Sequence, residues 1–178
     1  MRKLRKVEGD LVAFSLIPCE WYGSIYEIDP KELRERGITL LLLDLDNTIS
    51  PYREAVPAEE LKAWLKRLKE HGIDPFILSN SRKPTRVSEF AAHLDIPYLR
   101  RAGKPKRAGF HAALEKMGRG EHEAAMVGDQ IFTDILGANR SGICSILVKP
   151  IKMDTMFRKL RYGFETPFRR GAKRRGTM

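Results

Sequence analysis

Two carboxylates stand at the end of a strongly apolar stretch, at a spacing that suits a metal ion. Asp44 and Asp46 follow four consecutive leucines at 40–43. Residues two apart in a strand point to the same side, so both carboxylates project together from the end of a strand predicted at 39–45. Neighbouring negative charges repel unless a cation lies between them, and Mg²⁺ prefers oxygen ligands. The pair therefore indicates a magnesium site, although Asp and Asn after a strand also form ordinary turns.

The elements that must position this pair alternate along the chain. An apolar run of strand length is typical of a parallel strand that is buried on both faces. The pattern predicts further strands at 74–78, 96–99, 124–127 and 144–148, and helices at 31–36, 58–71, 84–94, 106–117 and 134–139. This alternation favours an α/β fold, with a parallel sheet, right-handed crossovers and helices on both faces.

Polar residues recur where the later strands end. In chain order they are Ser79 with Asn80, Lys104, and Asp129 with Asp134. The carboxyl ends of parallel strands lie along one edge of the sheet, and open α/β sheets bind their ligands at that edge. Each residue alone also fits a turn or a solvated loop charge. Their shared position predicts that they form one site with the first two aspartates.

The order of these residues resembles the motifs of the haloacid dehalogenase-like (HAD) phosphohydrolase superfamily. The first motif, DxDxT, matches 44–48, and the fourth, GDxxxxD, matches 128–134. The second motif, a Ser or Thr at a strand end, matches Ser79, and the third matches Lys104. The resemblance implies a three-layer, Rossmann-like HAD fold over residues 40 to about 148.

A narrower resemblance is carried by the segments DLDNTI and GDQIFTDILGAN, together with Pro18, Leu33, Gly37 and Ile38. These residues are similar to the bacterial YqeG subgroup of the superfamily. That subgroup is related to the mitochondrial phosphatidylglycerophosphate phosphatases. The resemblance implies a phosphatase.

The resemblance also implies the catalytic roles. Asp44 would be the nucleophile that forms an aspartyl-phosphate. Asp46 would act as general acid and then base, which requires its pKa to lie above the ordinary value of about 3.9. Mg²⁺ would be held by Asp44, the backbone carbonyl of Asp46, and Asp129.

The remaining motif residues would support Asp44, Asp46 and Asp129. Lys104 and Ser79 would bind the transferring phosphate oxygens, and Lys104 would pair with Asp44 before substrate binds. Asn80 would hold either a phosphate oxygen or the loop itself. Asp134 would orient either Lys104 or the metal-bound waters, and Thr48 would brace the loop.

The spacing of the motifs leaves no room for the inserted cap domain that many HAD enzymes use to select substrates. Thr48 and Ser79 are about thirty residues apart, and Ser79 and Lys104 about two dozen. One crossover helix uses most of each interval, so we expect a capless enzyme of subfamily IIIA. An open site suits a phosphate on a large carrier, and the resemblance to the YqeG subgroup, together with the basic, aromatic-bearing tail, favours phosphatidylglycerophosphate as the substrate. Alternatives are a protein or nucleic-acid phosphatase, or an RNA- or ribosome-binding protein on the same scaffold.

Positive charge is concentrated at the two ends of the chain. The net charge is +10, and residues 149–178 contain ten Lys or Arg against Asp154 and Glu165. Such ends attract nucleic acid or an anionic membrane, or they serve as solvated tails. We divide the chain into an irregular lead-in that packs on the domain (1–28), a catalytic domain (29–150) and a basic amphipathic tail (151–178). Within the tail, Met153, Met156, Phe157 and Leu160 have helical spacing, which favours docking on the domain or contact with a membrane surface.

The composition predicts a cytoplasmic protein that is at most peripheral to a membrane. No apolar run approaches the roughly 20 residues that span a bilayer, and no secretory signal is evident. Cys19 and Cys144 are far apart in sequence, without paired spacing, and suggest neither a disulfide nor a zinc site. The four histidines have no ligand spacing, and the oligomeric state stays open.

Overall fold

The four leucines form the centre of a parallel sheet. A computed structural model of the chain describes residues 15–52, 54–83, 85–154, 156–171 and 173–174. The strands are β1 (Glu20–Tyr22), β2 (Leu40–Leu43), β3 (Asp74–Leu78), β4 (Tyr98–Leu99), β5 (Ala124–Gly128), β6 (Cys144–Val148) and β7 (Lys173–Arg174). They pair in the order β4-β3-β2-β5-β6-β1-β7, and every pairing is parallel. The predicted α/β fold is confirmed.

Helices cover both faces of the sheet. They are α1 (Pro30–Glu35), α2 (Glu59–Glu70), α3 (Arg86–Leu94), α4 (Arg107–Met117), α5 (Leu136–Arg140) and α6 (Met156–Arg170). Leu41 and Leu43 pack in the cluster that contains the apolar residues of α2 and α3. Leu40 and Leu42 pack on the opposite side with those of α4 and α5. Because both faces of β2 are buried, its sequence is apolar without alternation.

The lead-in and the helix after β5 differ from the prediction. The lead-in was predicted to be irregular, but Glu20–Tyr22 forms β1, which lies between β6 and β7 in the sheet. Three residues carry no periodic signal, and their pairing partners lie far away in sequence, as in the register of Glu20 with Ile146. The helix predicted at 134–139 begins instead as a π-helical turn, Ile131–Ile135, and continues as α5. Residues 1–14 of the lead-in lie outside the described residues.

The basic tail contains a helix longer than its apolar spacing predicts. Helix α6 runs from Met156 to Arg170 and leaves Met153 outside it. Residues 175–178 of the predicted tail lie outside the described part of the chain. No helix in that described part has the length and apolar character that crossing a membrane requires.

Candidate active site

The ends of β2 and β5 bring three aspartates together. The backbone N–H of Asp44 donates to Val127 at 2.9 Å, which continues the pairing of the two strands into their loops. Carboxylate oxygens of Asp44, Asp129 and Asp134 lie within 4.8 Å of one another, and all three residues are buried. The backbone register of β2 and β5 therefore brings these strand ends together, as the sequence predicts.

The hydroxyl of Thr48 lies between two of these carboxylates. Its Oγ1 is 3.2 Å from Asp44 Oδ2 and 3.4 Å from Asp129 Oδ1. Thr48 is 2% exposed. A hydroxyl has one proton to donate, so Thr48 links the two acidic loops without neutralising either. This position agrees with the bracing role expected for it.

Lys104 places an ammonium group against the carboxylates. Its Nζ lies 2.7 Å from Asp44 Oδ1, 2.7 Å from Asp134 Oδ1 and 2.7 Å from the carbonyl oxygen of Leu78. These three acceptors use all three N–H donors of the ammonium group. Burial alone would lower the pKa of Lys104, but Asp134 and Asp44 outweigh that effect and raise the pKa above its ordinary value.

Asp134 joins the fourth motif to this ion pair. Its Oδ2 accepts from the backbone N–H of Gln130 at 3.1 Å, while its Oδ1 faces Lys104. The carboxylate lies so close to Gly128 that a Cβ at that position would collide with it. Burial raises the pKa of Asp134, and Lys104 opposes the rise. Of the two roles considered for Asp134, the contact with Lys104 is present.

Ser79 and Asn80 shape the loops beside Lys104. Asn80 Oδ1 accepts from the backbone N–H of Lys104 at 2.8 Å, and its Nδ2 donates to the backbone carbonyl of Lys104 at 2.9 Å. The amide thus holds the loop, which is one of the two roles considered for it. Ser79 is buried, and its Oγ accepts from the N–H of Ser81 at 3.1 Å. The hydrogen bond found for the Ser79 hydroxyl therefore lies within its own loop.

Asp46 lies in a different environment from Asp44. Its Oδ1 is 3.2 Å from Nε of Arg86, and its side chain is 19% exposed. Burial raises the pKa of Asp46 above its ordinary value; Arg86 opposes this rise, and the nearby charge of Asp44 adds to it. The raised pKa agrees in direction with the requirement stated for an acid catalyst.

Arg86 is the residue that sequence reasoning missed. It is the first residue of α3, and its guanidinium also donates to Ser50 Oγ at 3.3 Å, to the carbonyl of Pro51 at 3.1 Å and to the carbonyl of Glu54. One side chain thus holds Asp46 and the loop that follows it. An Arg at the start of a surface helix is unremarkable in sequence, so no local signal marked this contact.

The donor set fits a divalent cation. Oxygens of three buried carboxylates cluster within 4.8 Å of one another, and Lys104 pairs with two of the three, Asp44 and Asp134. Carboxylate oxygens are the ligands that Mg²⁺ prefers. Among the described residues, the site has the ligand type and the charge that a bound Mg²⁺ requires.

Comparison with known proteins agrees with this geometry. The family model of the haloacid dehalogenase-like hydrolases matches residues 8–142. The chain belongs to this family. It is 35% identical to the probable phosphatase YqeG of Bacillus subtilis over 89% of this chain and 88% of that protein. The chain is an enzyme, a phosphatase of the HAD type.

Two further similarities are weaker: the first covers a smaller share of the matched protein, and the second shows the fold alone. The chain is 34% identical to phosphatidylglycerophosphate phosphatase 1 of Arabidopsis thaliana, over 70% of this chain but 38% of that protein. A putative HAD subfamily III A hydrolase from Legionella pneumophila aligns with a TM-score of 0.55 at 19% identity, over 83% of this chain and 79% of that one. The second likeness confirms the Rossmann-like fold.

We expect Lys104→Met to destabilise the protein strongly, because it leaves buried carboxylates without a counter-charge. Loss of one partner from a buried ion pair costs about 3–5 kcal/mol. The deficit should be largest at neutral and alkaline pH and shrink as the pH falls, because Asp134, whose pKa burial raises, can then bind a proton. Urea denaturation at several pH values measures this.

Lys62→Met is the matched control for that substitution. Lys62 pairs with Glu59 at 2.7 Å on the surface of α2, where the two side chains are 42% and 87% exposed. Surface pairs contribute about 0–1 kcal/mol. Equal, pH-independent losses in both variants would show that Lys104 does not neutralise the buried carboxylates.

Proposed function

We propose that this chain is a Mg²⁺-dependent phosphomonoesterase that forms an aspartyl-phosphate on Asp44 and acts on phosphatidylglycerophosphate. The observation that carries the proposal is the convergence of Asp44, Asp129 and Lys104 in one buried site. A protein that only binds a partner does not need a buried lysine and several carboxylates at the carboxyl edge of its sheet.

The side chain of Asp44 would attack phosphorus from an orientation that two contacts fix. Lys104 binds its Oδ1 and Thr48 binds its Oδ2, so the carboxylate has a fixed orientation. Orientation of this kind lowers the entropic cost of reaching the transition state. Asp44, Asp129 and the backbone carbonyl of Asp46 would hold Mg²⁺, with Asp134 in the same cluster. When bound, the ion supplies positive charge that reduces the repulsion between a carboxylate and a phosphate dianion.

Lys104, Ser79 and Asn80 would receive the transferring phosphate group. The ammonium group of Lys104 carries a positive charge that can stabilise the phosphate oxygens as they gain charge. Asn80 keeps the backbone of Lys104 in place through two hydrogen bonds. Ser79, at the end of the neighbouring strand, would add a hydroxyl donor. On substrate binding, Lys104 would exchange one of its three present acceptors for a phosphate oxygen.

Asp46 would donate a proton to the leaving oxygen and later accept one from the attacking water. Its raised pKa increases the protonated fraction near neutral pH, which the first of these steps needs. Arg86 holds one oxygen of Asp46 through the contact to Oδ1. Arg86 is therefore a positioning residue, because it acts on the reaction through Asp46.

Asp44→Asn should abolish turnover of p-nitrophenyl phosphate while the fold remains. The amide keeps the shape of the side chain but is not a nucleophile, so kcat should fall by roughly 10³-fold or more. Wild type should also lose activity with a chelator and recover it with Mg²⁺. Phosphate release, with and without Mg²⁺, is the measurement. The control is Asp74→Asn, an equivalent change in a half-exposed Asp at the start of β3; equal rates for the Asp44 variant and wild type would refute the nucleophile assignment.

Arg86→Met should move the alkaline limb of the pH–kcat profile to higher pH. Arg86 opposes the rise in the pKa of Asp46, so its removal raises that pKa further and keeps the acid protonated to higher pH. Arg86→Lys retains the charge and should keep the limb near its wild-type position. Arg119→Met removes an exposed pairing with Asp74 and should leave the profile unchanged. Superimposable profiles for both Arg86 variants and wild type would contradict this role.

The substrate proposal rests on the lack of a cap insert among the described residues and on the plant relative. In the described part of the chain, the interval from β2 to β3 contains α2, and the interval from β3 to β4 contains α3. Neither interval holds a folded insert that would cover the site. An open site accepts a phosphate on a large carrier. The matched Arabidopsis protein is named for phosphatidylglycerophosphate, which is a carrier of that kind.

Phosphatidylglycerophosphate in mixed micelles should be hydrolysed with a higher kcat/KM than soluble sugar phosphates. Among the described residues, no cap insert adds binding energy for a small metabolite, whereas the lipid can also bind through the micelle surface that carries it. Phosphate release from both substrate classes, and from nucleotide and protein phosphates, measures the preference. Faster turnover of the sugar phosphates would overturn the substrate assignment but not the phosphatase assignment.

A further inference from the structure

Helix α6 is fixed to the active-site loops by one of its faces. The buried carboxylate of Glu165 accepts from the backbone N–H of Ile131 at 3.1 Å, two residues beyond Asp129. Arg169 pairs with the other oxygen of Glu165 at 2.5 Å, one turn further along the helix. The bond from Ile131 to Glu165 turns this face of α6 toward the domain.

The opposite face of α6 presents large apolar side chains to solvent. Met156 is 73% exposed, Leu160 is 56% exposed and Phe164 is 73% exposed. Their spacing of four residues aligns them along one side of the helix. We call these three residues the α6 ridge. A single exposed apolar residue is ordinary, but three in a row on one helix face mark an interaction surface.

The segment that precedes α6 is tied to the catalytic edge of the sheet. Asn47, which follows Asp46, binds the backbone of Lys152 on both sides: its Oδ1 accepts from the N–H at 2.8 Å, and its Nδ2 donates to the carbonyl at 2.9 Å. Lys152 is four residues before the start of α6. The segment that leads into the ridge is therefore tied to the first catalytic loop, while Glu165 is tied to the fourth.

The charge around the ridge selects its partner. Residues 149–178 contain ten Lys or Arg and two acidic residues, one of which, Glu165, is buried against Arg169. An apolar stripe within a basic segment fits the surface of an anionic bilayer, where side chains enter the headgroup boundary and lysines meet lipid phosphates. A second copy of this chain, with its own net charge of +10, would be repelled. RNA would engage the basic residues but gains little from a ridge of Met, Leu and Phe.

We propose that the α6 ridge docks this enzyme on an anionic membrane surface, so that the catalytic edge faces phosphate groups carried by lipids. This inference rests on the proposed function, because it names the surface on which the enzyme meets its lipid substrate. The helix binds the surface without crossing it. Apolar insertion and charge attraction both contribute, so the association weakens, but does not vanish, when either is reduced.

Vesicle sedimentation of the full chain tests this proposal. Wild type should partition to vesicles of phosphatidylglycerol and phosphatidylcholine, and weakly to phosphatidylcholine alone. The triple variant Met156→Gln, Leu160→Gln, Phe164→Gln keeps good helix formers and should partition at least about tenfold less. Its turnover of p-nitrophenyl phosphate should stay within about twofold of wild type, which also shows that it folds.

Ile17→Gln is the matched control, because Ile17 is also an exposed apolar residue (48%) but precedes β1 at the amino edge of the sheet. It should partition as wild type does. Equal partitioning of the triple variant and wild type would overturn the proposal, and so would a wild type that does not partition. It would also be overturned if the triple variant lost RNA binding or dimerisation instead of vesicle binding. Loss of phosphatase activity in wild type would count against the proposed function alone, because partitioning is read without catalysis.

Discussion

A buried ammonium group between buried carboxylates is the contact on which the rest of this structure depends. The three acceptors of Lys104 Nζ come from the ends of three neighbouring strands: Asp44 after β2, Leu78 at the end of β3, and Asp134 after β5. In a region of low polarity each unpaired charge would be expensive, so the three loops are stable only in the arrangement that satisfies all of them. The geometry of the site and the alignment of the sheet are therefore held by the same atoms.

This contact also explains why two aspartates two residues apart can differ chemically. Asp44 is oriented inward by Lys104 and Thr48, whereas Asp46 is turned toward Arg86 and remains partly exposed. Burial raises the pKa of Asp46, and the charge of Asp44 adds to the rise. Two carboxyl groups whose environments differ in this way are suited to separate tasks, one as an ionised nucleophile and the other as a proton carrier.

What the sequence could predict was the part encoded by periodicity and by position along strands. The leucine run predicted β2. The polar residues at strand ends predicted that Asp44, Asp129 and Lys104 lie together, because the carboxyl ends of parallel strands share one edge of the sheet. Arg86 and β1 were not predictable in the same way. The contact of Arg86 with Asp46 joins residues forty positions apart through a side-chain direction, and β1 exists only because β6 offers it hydrogen-bond partners.

The catalytic loops are also held from outside the central sheet, and this has a physical consequence for the tail. Asn47 has a positive φ of 74°, a conformation that Asn tolerates better than most residues, and its side chain binds Lys152. Glu165 holds the N–H of Ile131 beyond the fourth motif. Since both loops would lose hydrogen bonds if residues 151–170 moved away, the tail is part of the folded enzyme. A membrane surface that binds the outward face of α6 would therefore encounter an active site whose loops are already fixed.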